Sequence, residues 1–510
     1  MSLFRLDIYS HNFAVSAIAP HIRPLIETFT RRYIQYGFGK TPYGQWGRIP
    51  VKTFATRTRD QSQYRYHINT LAAFRQFLNQ NQIWDDQINT VKWDFHEPKQ
   101  IELKLRDGWN DRPHQIPVIQ YLIDKVPNGG PTKLVQLQMG KGKGYSAIKA
   151  NTILSTLTVA MLRPQFITKW QLELIEKLEV GVEDIMIVRG GKALMALIEL
   201  AVLGELETKF ILVSNKTFQD YLKTYEELKE GILELGYGCL PHEFFETLGA
   251  GTRLMDEAHL DFHLNFKIDL YTHISNAASL SATLISDDDT ITRMQEIAYP
   301  HNTRFDGGAL DKYVDAVAVI YRFNHPNKIR CKDYARNSYS HNVFEQSISR
   351  MKDVEANYFR LIADVIRDGY IKNWKQGHRC LVNCASIDFA TRLSNFLKAQ
   401  FPQKDVRRYV EKDPYANLLE GEITVSTLLS AGTGHDIPGL TDVVLTVGVS
   451  SSTGNIQGFG RLRDQGDTKT RFYYLTSESI PKQVDYHQRK KELLKSRAAS
   501  YRVEYYGRPI

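Results

Sequence analysis

The sequence predicts an α/β protein with more than one parallel sheet. Short apolar runs at residues 157–161, 185–188 and 210–213 alternate with helical patterns, and this alternation is typical of strands joined by crossover helices. The alternation returns at residues 380–383 and 443–447. Because a chain of 510 residues is too long for one hydrophobic core, we expect two to four domains.

The composition is that of an ordinary globular protein, with 42% hydrophobic and 24% charged residues. The sequence has neither a long apolar run nor a signal-peptide pattern, so we expect a soluble, cytoplasmic protein without a membrane partner. The net charge of +8 favours a nucleic-acid partner. The cysteines lack the paired spacing of a zinc site or a disulfide framework: Cys239, Cys331, Cys380 and Cys384.

Residues 1–105 are expected to form a small α+β accessory domain that binds nucleic acid. Basic and aromatic residues interleave over residues 31–66, and this mixture suits backbone phosphates and stacked bases. A solvated face over a small aromatic core explains the mixture equally well. Further on, Gln115 precedes a glycine-rich stretch. It is either a surface side chain or an amide that presents a donor and an acceptor to the edge of adenine.

A strand, a glycine-rich loop and the start of a helix are predicted over residues 134–154. The loop alternates glycine with lysine: Gly140, Lys141, Gly142, Lys143 and Gly144. Such a loop directs backbone N–H groups at the phosphates of ATP, and Lys143 would supply the charge for the β and γ phosphates; a solvated hairpin tip is the alternative. A hydroxyl residue normally follows the lysine and contacts Mg²⁺. Because Gly144 stands here, either Mg²⁺ is held by phosphates, waters and one carboxylate, or the site is impaired.

Polar residues at the predicted strand ends add to this candidate site. Asp256 would bind Mg²⁺, and the adjacent Glu257 would orient and deprotonate a water that attacks the γ phosphate. A solvated acidic turn is the alternative interpretation of this pair. Asn215 and Thr217 follow the apolar run at residues 210–213, and open parallel sheets bind ligands at that edge.

The order of the motifs resembles that of the superfamily 2 helicases and translocases. After the glutamine and the phosphate loop come Asp-Glu-Ala-His at 256–259, Ser-Ala-Thr at 281–283, STLLSAGTGHDIP at 426–438 and QGFGRLR at 457–463. Within that superfamily the resemblance is closest to the phage UvsW-type and RecG-like branch-migrating DNA helicases. Four features carry it: RPHQ at 112–115, the pair Thr433 and Gly434 before Asp436 and Ile437, the stretch DVVLTVGVSSSTGNIQGFGR, and an N-terminal unit of about 100 residues that contains YGQWGRIPV.

The resemblance implies two tandem RecA-like parallel-sheet domains behind the N-terminal domain. We expect residues 106–300 and 341–480 to form these two domains. Residues 301–340 would connect them, and residues 481–510 would form a basic helix and a tail. In this family the two domains close on ATP.

The resemblance also implies roles for single residues. Nucleotide contacts are implied for the glutamine, the glycine-rich loop, Gly434 and Asp436. Coupling of nucleotide to nucleic acid is implied for His259, Ser281, Thr283 and Gln457. Contacts to the DNA backbone are implied for Asn215, Thr217, Ser386 and Thr427. An arginine from the second domain would neutralise charge on the γ phosphate. Arg461 matches the family's first arginine, but the second falls on Asp464, so Arg463 is the alternative.

The expected function is therefore ATP-dependent remodelling of branched DNA, with ATP and Mg²⁺ as cofactors. Forked and four-way-junction DNA would be the substrates, bound without regard to base sequence, and replication or recombination proteins are candidate partners. An RNA helicase would use the same motor. A nucleic-acid-binding scaffold with an impaired ATPase is the third hypothesis, motivated by Gly144 and Asp464.

Overall fold

The computed structural model describes residues 2–41, 44–124, 132–282, 284, 286, 288–308, 311–333, 337–428, 430–431, 437–448 and 458–510. It divides the chain into two compact units, Met1–Gly307 and Gly308–Ile510. Four residues of the candidate site lie outside the described residues: Thr283, Gly434, Asp436 and Gln457. Among the described residues, no helix combines the length and the apolar character needed to cross a bilayer.

The first unit begins with a small α+β region. Its strands are β1 (Phe4–Ile8), β2 (Asn12–Ser16), β3 (Ile34–Lys40), β4 (Trp46–Thr53), β5 (Thr56–Arg57), β6 (Gln63–His67) and β7 (Ile88–Lys92), and its helices are α1 (Arg23–Thr30) and α2 (Leu71–Gln80). Five strands form a sheet in the order β5-β6-β2-β1-β7, while β3 and β4 form a separate hairpin. Phe29 and Phe74, one from each helix, pack on Phe13 and Tyr66 of the sheet. All four rings are buried, so aromatic packing holds this region together.

The first parallel sheet follows. Its strands are β8 (Lys133–Gln136), β9 (Thr158–Leu162), β10 (Ile185–Val188), β11 (Phe210–Ser214), β12 (Thr252–Met255), β13 (Asn276–Ser281) and β14 (Arg304–Asp306). The helices around it are α3 (Ile116–Ile123), α4 (Lys143–Leu154), α5 (Ile167–Lys177), α6 (Gly191–Val202), α7 (Asn215–Leu228), α8 (Phe244–Thr247), α9 (Phe262–Asp269) and α10 (Asp289–Ala298). Every residue of β9 and β11 is buried, which explains why these strands appear in the sequence as continuous apolar runs.

The second unit contains the second parallel sheet. Its strands are β15 (Val314–Tyr321), β18 (Arg379–Cys384), β19 (Val406–Tyr409), β20 (Ile423–Thr427), β21 (Leu440–Leu445), β22 (Thr470–Ser477) and β23 (Ser500–Tyr505), and a small hairpin consists of β16 (Lys332–Asp333) and β17 (Ser338–Tyr339). The helices are α11 (His341–Ser349), α12 (Lys352–Gly369), α13 (Ile387–Gln400), α14 (Ala416–Glu420) and α15 (Pro481–Arg497). The predicted C-terminal segment thus contains α15 and an edge strand, β23, that sequence analysis did not predict.

The two parallel sheets have the same topology. The first has the order β10-β11-β9-β12-β13-β8-β14 and the second the order β19-β20-β18-β21-β22-β15-β23. Numbered along the chain within each sheet, both orders are third, fourth, second, fifth, sixth, first, seventh. All neighbouring strands pair in parallel. The predicted fold class is confirmed: two tandem RecA-like α/β domains follow a small N-terminal α+β region.

The N-terminal region is not packed independently of the first parallel sheet. One hydrophobic core extends from Phe4 to Tyr299. Polar contacts reinforce it: the Asn12 side chain donates to the carbonyl of Thr272 at 2.9 Å, and the buried Arg65 donates to the Asn12 side chain at 3.0 Å. The stretch expected to connect the two lobes contains β14 and β15, which are strands of the first and second sheets.

Candidate nucleotide site at the edge of the first sheet

A sharp turn joins strand β8, which lies between β13 and β14, to helix α4. Gly140 and Gly142 have φ values of +83° and +77°, a conformation that strains any residue with a side chain. Gly142 occupies the position before α4, and Lys143 is the first residue of that helix. Because the first N–H groups of a helix have no intrahelical acceptor, this turn directs backbone donors and the positive end of α4 toward the edge of the sheet.

Lys143 lies over this turn rather than in open solvent. Its side chain is buried, and its ammonium group donates to the carbonyl of Leu137 at 3.0 Å. Its charge also acts on His259: burial, followed by the charge of Lys143, lowers the pKa of that imidazole to about 4. The predicted phosphate-binding lysine and the Asp-Glu-Ala-His segment therefore lie together at the carboxyl ends of the strands of the first sheet.

Gln115 supports the glycine-rich loop from the side. Its amide oxygen accepts from the Arg112 N–H at 2.9 Å, and its amide nitrogen donates to the carbonyl of Lys141 at 3.4 Å. A Cβ atom on Gly142 would lie only 2.1 Å from that nitrogen. Gln115 therefore positions the loop, and Gly142 is required for this close approach as well as for its backbone conformation.

Asp256 immediately follows β12 and is held by two hydrogen bonds. One carboxylate oxygen accepts from the Trp170 indole N–H at 2.9 Å, and the other accepts from the N–H of Glu257 at 2.9 Å. Trp170 is buried on α5. A carboxylate oxygen accepts more than one bond, so Asp256 is oriented and still has lone pairs for a cation.

Glu257, His259 and Ser281 form a short polar chain. The Glu257 carboxylate lies 3.4 Å from Nδ1 of His259, and the same nitrogen lies 2.9 Å from the Ser281 hydroxyl at the end of β13. With its pKa lowered to about 4, His259 is neutral at neutral pH. The structure thus brings together two residues predicted to couple nucleotide to nucleic acid, next to the predicted catalytic base.

The position beside Gly144 is occupied by a carboxylate. A Cβ atom on Gly144 would lie 2.9 Å from Oε2 of Glu173 on α5. Glu173 also pairs with Lys169 at 3.6 Å and with Lys177 at 3.7 Å. The position that lacks the expected hydroxyl therefore has a carboxylate oxygen beside it, which could bind a cation.

The sequence motifs do not predict the contribution of α5 at this end of the strands. Trp170 binds Asp256 and Glu173 lies against Gly144, while Lys169 adds a cation. Burial lowers the pKa of Lys169, but the carboxylates of Asp256 and Glu173 outweigh that effect and raise it. The available signal was the sequence ITKWQLELIEK, an amphipathic helix that begins soon after β9 and carries a tryptophan among charged residues.

The residues predicted to contact the DNA backbone lie at strand ends, where protein groups already engage several of them. Asn215 and Thr217 follow β11 and are buried, and the Thr217 hydroxyl accepts from the Gly190 N–H at 2.7 Å. In the second unit, the Ser386 hydroxyl donates to Glu345 at 2.7 Å. The Thr427 hydroxyl donates to that of Ser430 at 2.8 Å.

The predicted arginines belong to the second unit. Arg461 is buried and close enough to Tyr409 for its charge to oppose the burial that raises the pKa of that phenol. The Arg463 guanidinium donates to the carbonyl of Gly460. Asp464, at the position of the family's second arginine, accepts from the Gly466 N–H at 3.0 Å and closes an exposed turn.

No protein-family model and no curated protein matches this sequence. Several solved structures resemble it. Dbp5 of S. cerevisiae bound to RNA and ADP BeF3 has 12% identity and a TM-score of 0.49, with 77% of this chain and 89% of that chain covered. T4 UvsW has 12% identity and a TM-score of 0.33, with 99% of each chain covered. The Hef helicase domain of Pyrococcus furiosus has 13% identity and a TM-score of 0.42, with 74% and 98% covered.

Proposed function

We propose that this protein is an ATP-dependent motor that unwinds or remodels forked and four-way-junction DNA. The observation that supports it most is the placement of Lys143. This lysine begins a helix behind a glycine-rich turn, and its charge acts on His259, beside Asp256 and Glu257. A cation for the phosphates, a carboxylate for Mg²⁺ and a second carboxylate for the attacking water are the groups that phosphoryl transfer requires.

The residues at this edge fit a nucleotide bound together with Mg²⁺. Among the described residues, no cluster of three or more acidic, histidine or cysteine side chains could hold a metal ion. Protein-bound Mg²⁺ commonly has one or two carboxylate ligands and substrate phosphates instead. Asp256 would be the carboxylate, oriented by Trp170. When bound, the ion would neutralise charge on the phosphate oxygens.

The chain's own groups would then divide the remaining work. Loop amides of Gly140 to Gly144 would surround the phosphates, and Lys143 would neutralise them. Glu257 would orient the attacking water and accept its proton, while the neutral His259 would hold Glu257 relative to Ser281. Gln115 would contact the adenine through the second amide hydrogen and the second oxygen lone pair, beyond its bonds to Arg112 and Lys141. Arg461 remains the proposed arginine finger because it matches the QxxGR pattern residue for residue.

DNA binding would be independent of base sequence and sensitive to salt. The chain carries a net charge of +8, and contacts to backbone phosphates release counterions without reading bases. Asn215, Thr217, Ser386 and Thr427 are the proposed backbone contacts. The choice of branched DNA rests on the motif order, which resembles that of branch-migrating helicases.

The test is the ATPase rate of the full-length protein with no nucleic acid, single-stranded DNA, forked DNA, four-way-junction DNA and RNA. The matched variant is Glu257→Gln, which keeps the shape of the side chain and removes the base. We expect branched DNA to stimulate the wild type most. The variant should lose about 10²- to 10⁴-fold in rate while still binding DNA.

Other results would replace the proposal. Stimulation by RNA alone would indicate an RNA helicase. DNA binding without hydrolysis under any condition would indicate a scaffold whose ATPase is impaired at Gly144 or Asp464. If Glu257→Gln hydrolyses ATP at the wild-type rate, the assignment of the base is wrong.

A further inference from the structure

The β3–β4 hairpin has a face that neither the N-terminal core nor the candidate nucleotide site uses. Within the part of the chain that the structure describes, the two strands pair only with each other. Their register places Phe38 opposite Arg48 and Lys40 opposite Trp46. Because alternate residues of a strand point to the same side, one face carries three aromatic and two basic side chains: Tyr36, Phe38, Lys40, Trp46 and Arg48.

The opposite face of the hairpin carries aliphatic side chains, of which Val51 is itself 56% exposed. A Cβ atom on Gly37 would lie 2.6 Å from Cγ2 of Val51, and one on Gly39 would lie 2.6 Å from Cδ1 of Ile49. These glycines therefore let Val51 and Ile49 lie flat against the backbone. The aromatic residues lie on the other side of the hairpin.

The aromatic face is exposed to an unusual degree. Phe38 and Trp46 are 77% and 67% exposed, and their rings stack with centroids 6.0 Å apart. By contrast Tyr64 and Tyr66, from the same basic and aromatic stretch of sequence, are 0% and 1% exposed. The stretch therefore divides into a buried aromatic core and a solvent-facing aromatic pair, and only the second is available to a ligand.

The charges around this pair favour an anionic partner. Residues 34–53 contain no aspartate or glutamate. Lys40 and Arg48 are exposed on the aromatic face, and the Arg48 guanidinium lies 4.7 Å from the centre of the Tyr36 ring. Flat rings beside cations are the combination that binds unpaired bases and their phosphates.

The base of the hairpin is fixed to the first parallel-sheet domain. The side chains of Gln35 and Lys52 bond to one carboxylate oxygen of Asp288, at 3.0 and 3.2 Å. Asp288 also caps helix α10, which follows β13 and Ser281 in the chain. A base bound to the hairpin would therefore be held in a fixed position relative to that domain.

We propose that this face binds unpaired DNA bases, with a base stacked on the Phe38–Trp46 pair and phosphates beside Lys40 and Arg48. The inference rests on the proposed function and names the element that holds the unpaired arm of a fork. Stacking requires an accessible base face, so the hairpin distinguishes a fork from an intact duplex.

The experiment measures binding without ATP, so its outcome is independent of hydrolysis. Full-length wild type and Phe38→Ala/Trp46→Ala are titrated with forked DNA and with blunt duplex of the same length. The fork carries 2-aminopurine in one unpaired arm. Trp84→Ala is the control, since Trp84 is 53% exposed in the same region. Phe38→Tyr/Trp46→Phe keeps two rings.

We expect the double alanine variant to bind the fork about tenfold or more weakly, because two stacking surfaces are lost. Its affinity for blunt duplex should stay within about twofold, as the phosphate contacts remain. The 2-aminopurine signal should change on binding to the wild type and to the ring-preserving variant only.

Unchanged fork affinity would overturn the proposal and leave the face as a protein-docking surface. An equal loss on fork and duplex, or the same loss in Trp84→Ala, would overturn it as well.

Discussion

The two parallel sheets share one strand order but differ in the segments that come after their first and fifth strands. After β8 the chain makes a glycine-rich turn into a helix that begins at Lys143, whereas after β15 it forms the short β16–β17 hairpin before α11. After β12 come Asp256 and Glu257. After β21 comes Thr446, whose hydroxyl donates to the carbonyl of Asn383 at 2.9 Å. The same strand order therefore supports two different sets of side chains at the carboxyl ends of the strands, and these side chains decide the chemistry.

The carboxylates that follow or face the strand ends of the two sheets differ in their partners. Glu345 in the second unit accepts hydrogen bonds from the N–H groups of Ala385 and Ser386 and from the Ser386 hydroxyl, all within 2.8 Å. These bonds fix the turn after β18, while burial raises the pKa of Glu345 to about 7. In the first sheet each carboxylate oxygen of Asp256 accepts one hydrogen bond, and the Glu257 carboxylate lies 3.4 Å from His259, on which the charge of Lys143 also acts. A carboxylate whose hydrogen bonds all come from one turn, such as Glu345, has a structural role. A cluster of opposite charges at the carboxyl ends of the strands indicates ligand binding.

The largest expected effect is on the ATPase rate, and it should distinguish Lys143 in the first unit from Lys490 in the second. Lys143→Met should lower the ATPase rate about 10²- to 10³-fold or more, because the phosphates lose a fixed cation. Lys490→Met is the matched control: Lys490 is also buried, 4.6 Å from the centre of the Tyr474 ring. This second substitution should change the rate by less than about threefold. Equal losses in both variants would mean that the difference between the two edges is not catalytic.

An acid titration should separate the stabilities of the two units. His242 and His259 in the first unit have pKa values lowered by burial to about 3 and about 4. As the pH falls below 6.5, the unfolded state binds protons that the folded state does not, so stability is lost down to those values. Protonation of His259 alone should lower the free energy of unfolding by about 2 kcal/mol between pH 7 and pH 5. In the second unit His341, with a pKa of about 3, acts in the same direction, but Glu345 opposes it, because its raised pKa of about 7 makes the folded state bind the proton first and adds stability as the pH falls from 7 to about 4.5. Burial also raises the pKa of Glu226 in the first unit, which offsets part of the loss there.

Hydrogen exchange resolved by segment, corrected for the intrinsic rate at each pH, measures this difference. Protection of β9 and β11 should fall between pH 7 and pH 5, while protection of β18 and β20 should change less. Replacing His259 by Asn should remove part of the loss in the first unit. If both sheets lose protection equally, the buried histidines do not control the acid response.

The parts of the molecule that sequence patterns predict are those specified locally. Continuous apolar runs mark the central strands, and alternating glycine and lysine mark the turn before α4, because each requirement is met within a few residues. The contact between Trp170 and Asp256 could not be predicted, since it depends on how α5 packs after the sheet has formed. Strand β23 was missed for a related reason. It is an edge strand with mostly exposed, polar side chains, so its pairing with β15 leaves no apolar run in the sequence.

The smallest expected effect concerns why the first sheet carries Gly144 where a hydroxyl residue is expected. A side chain there would meet Oε2 of Glu173, the flexible end of a side chain that can rotate away. Gly144→Ser should therefore reduce the free energy of unfolding by less than about 1 kcal/mol. The reduction should be smaller when Glu173 is also replaced by Ala, because the serine then enters vacated space.

Urea unfolding of the wild type, both single variants and the double variant forms a complete cycle. A coupling of about 0.5 kcal/mol or more would show that the two residues compete for one position. Additivity within about 0.3 kcal/mol would mean that Glu173 leaves room for the hydroxyl, and the glycine would then need another explanation.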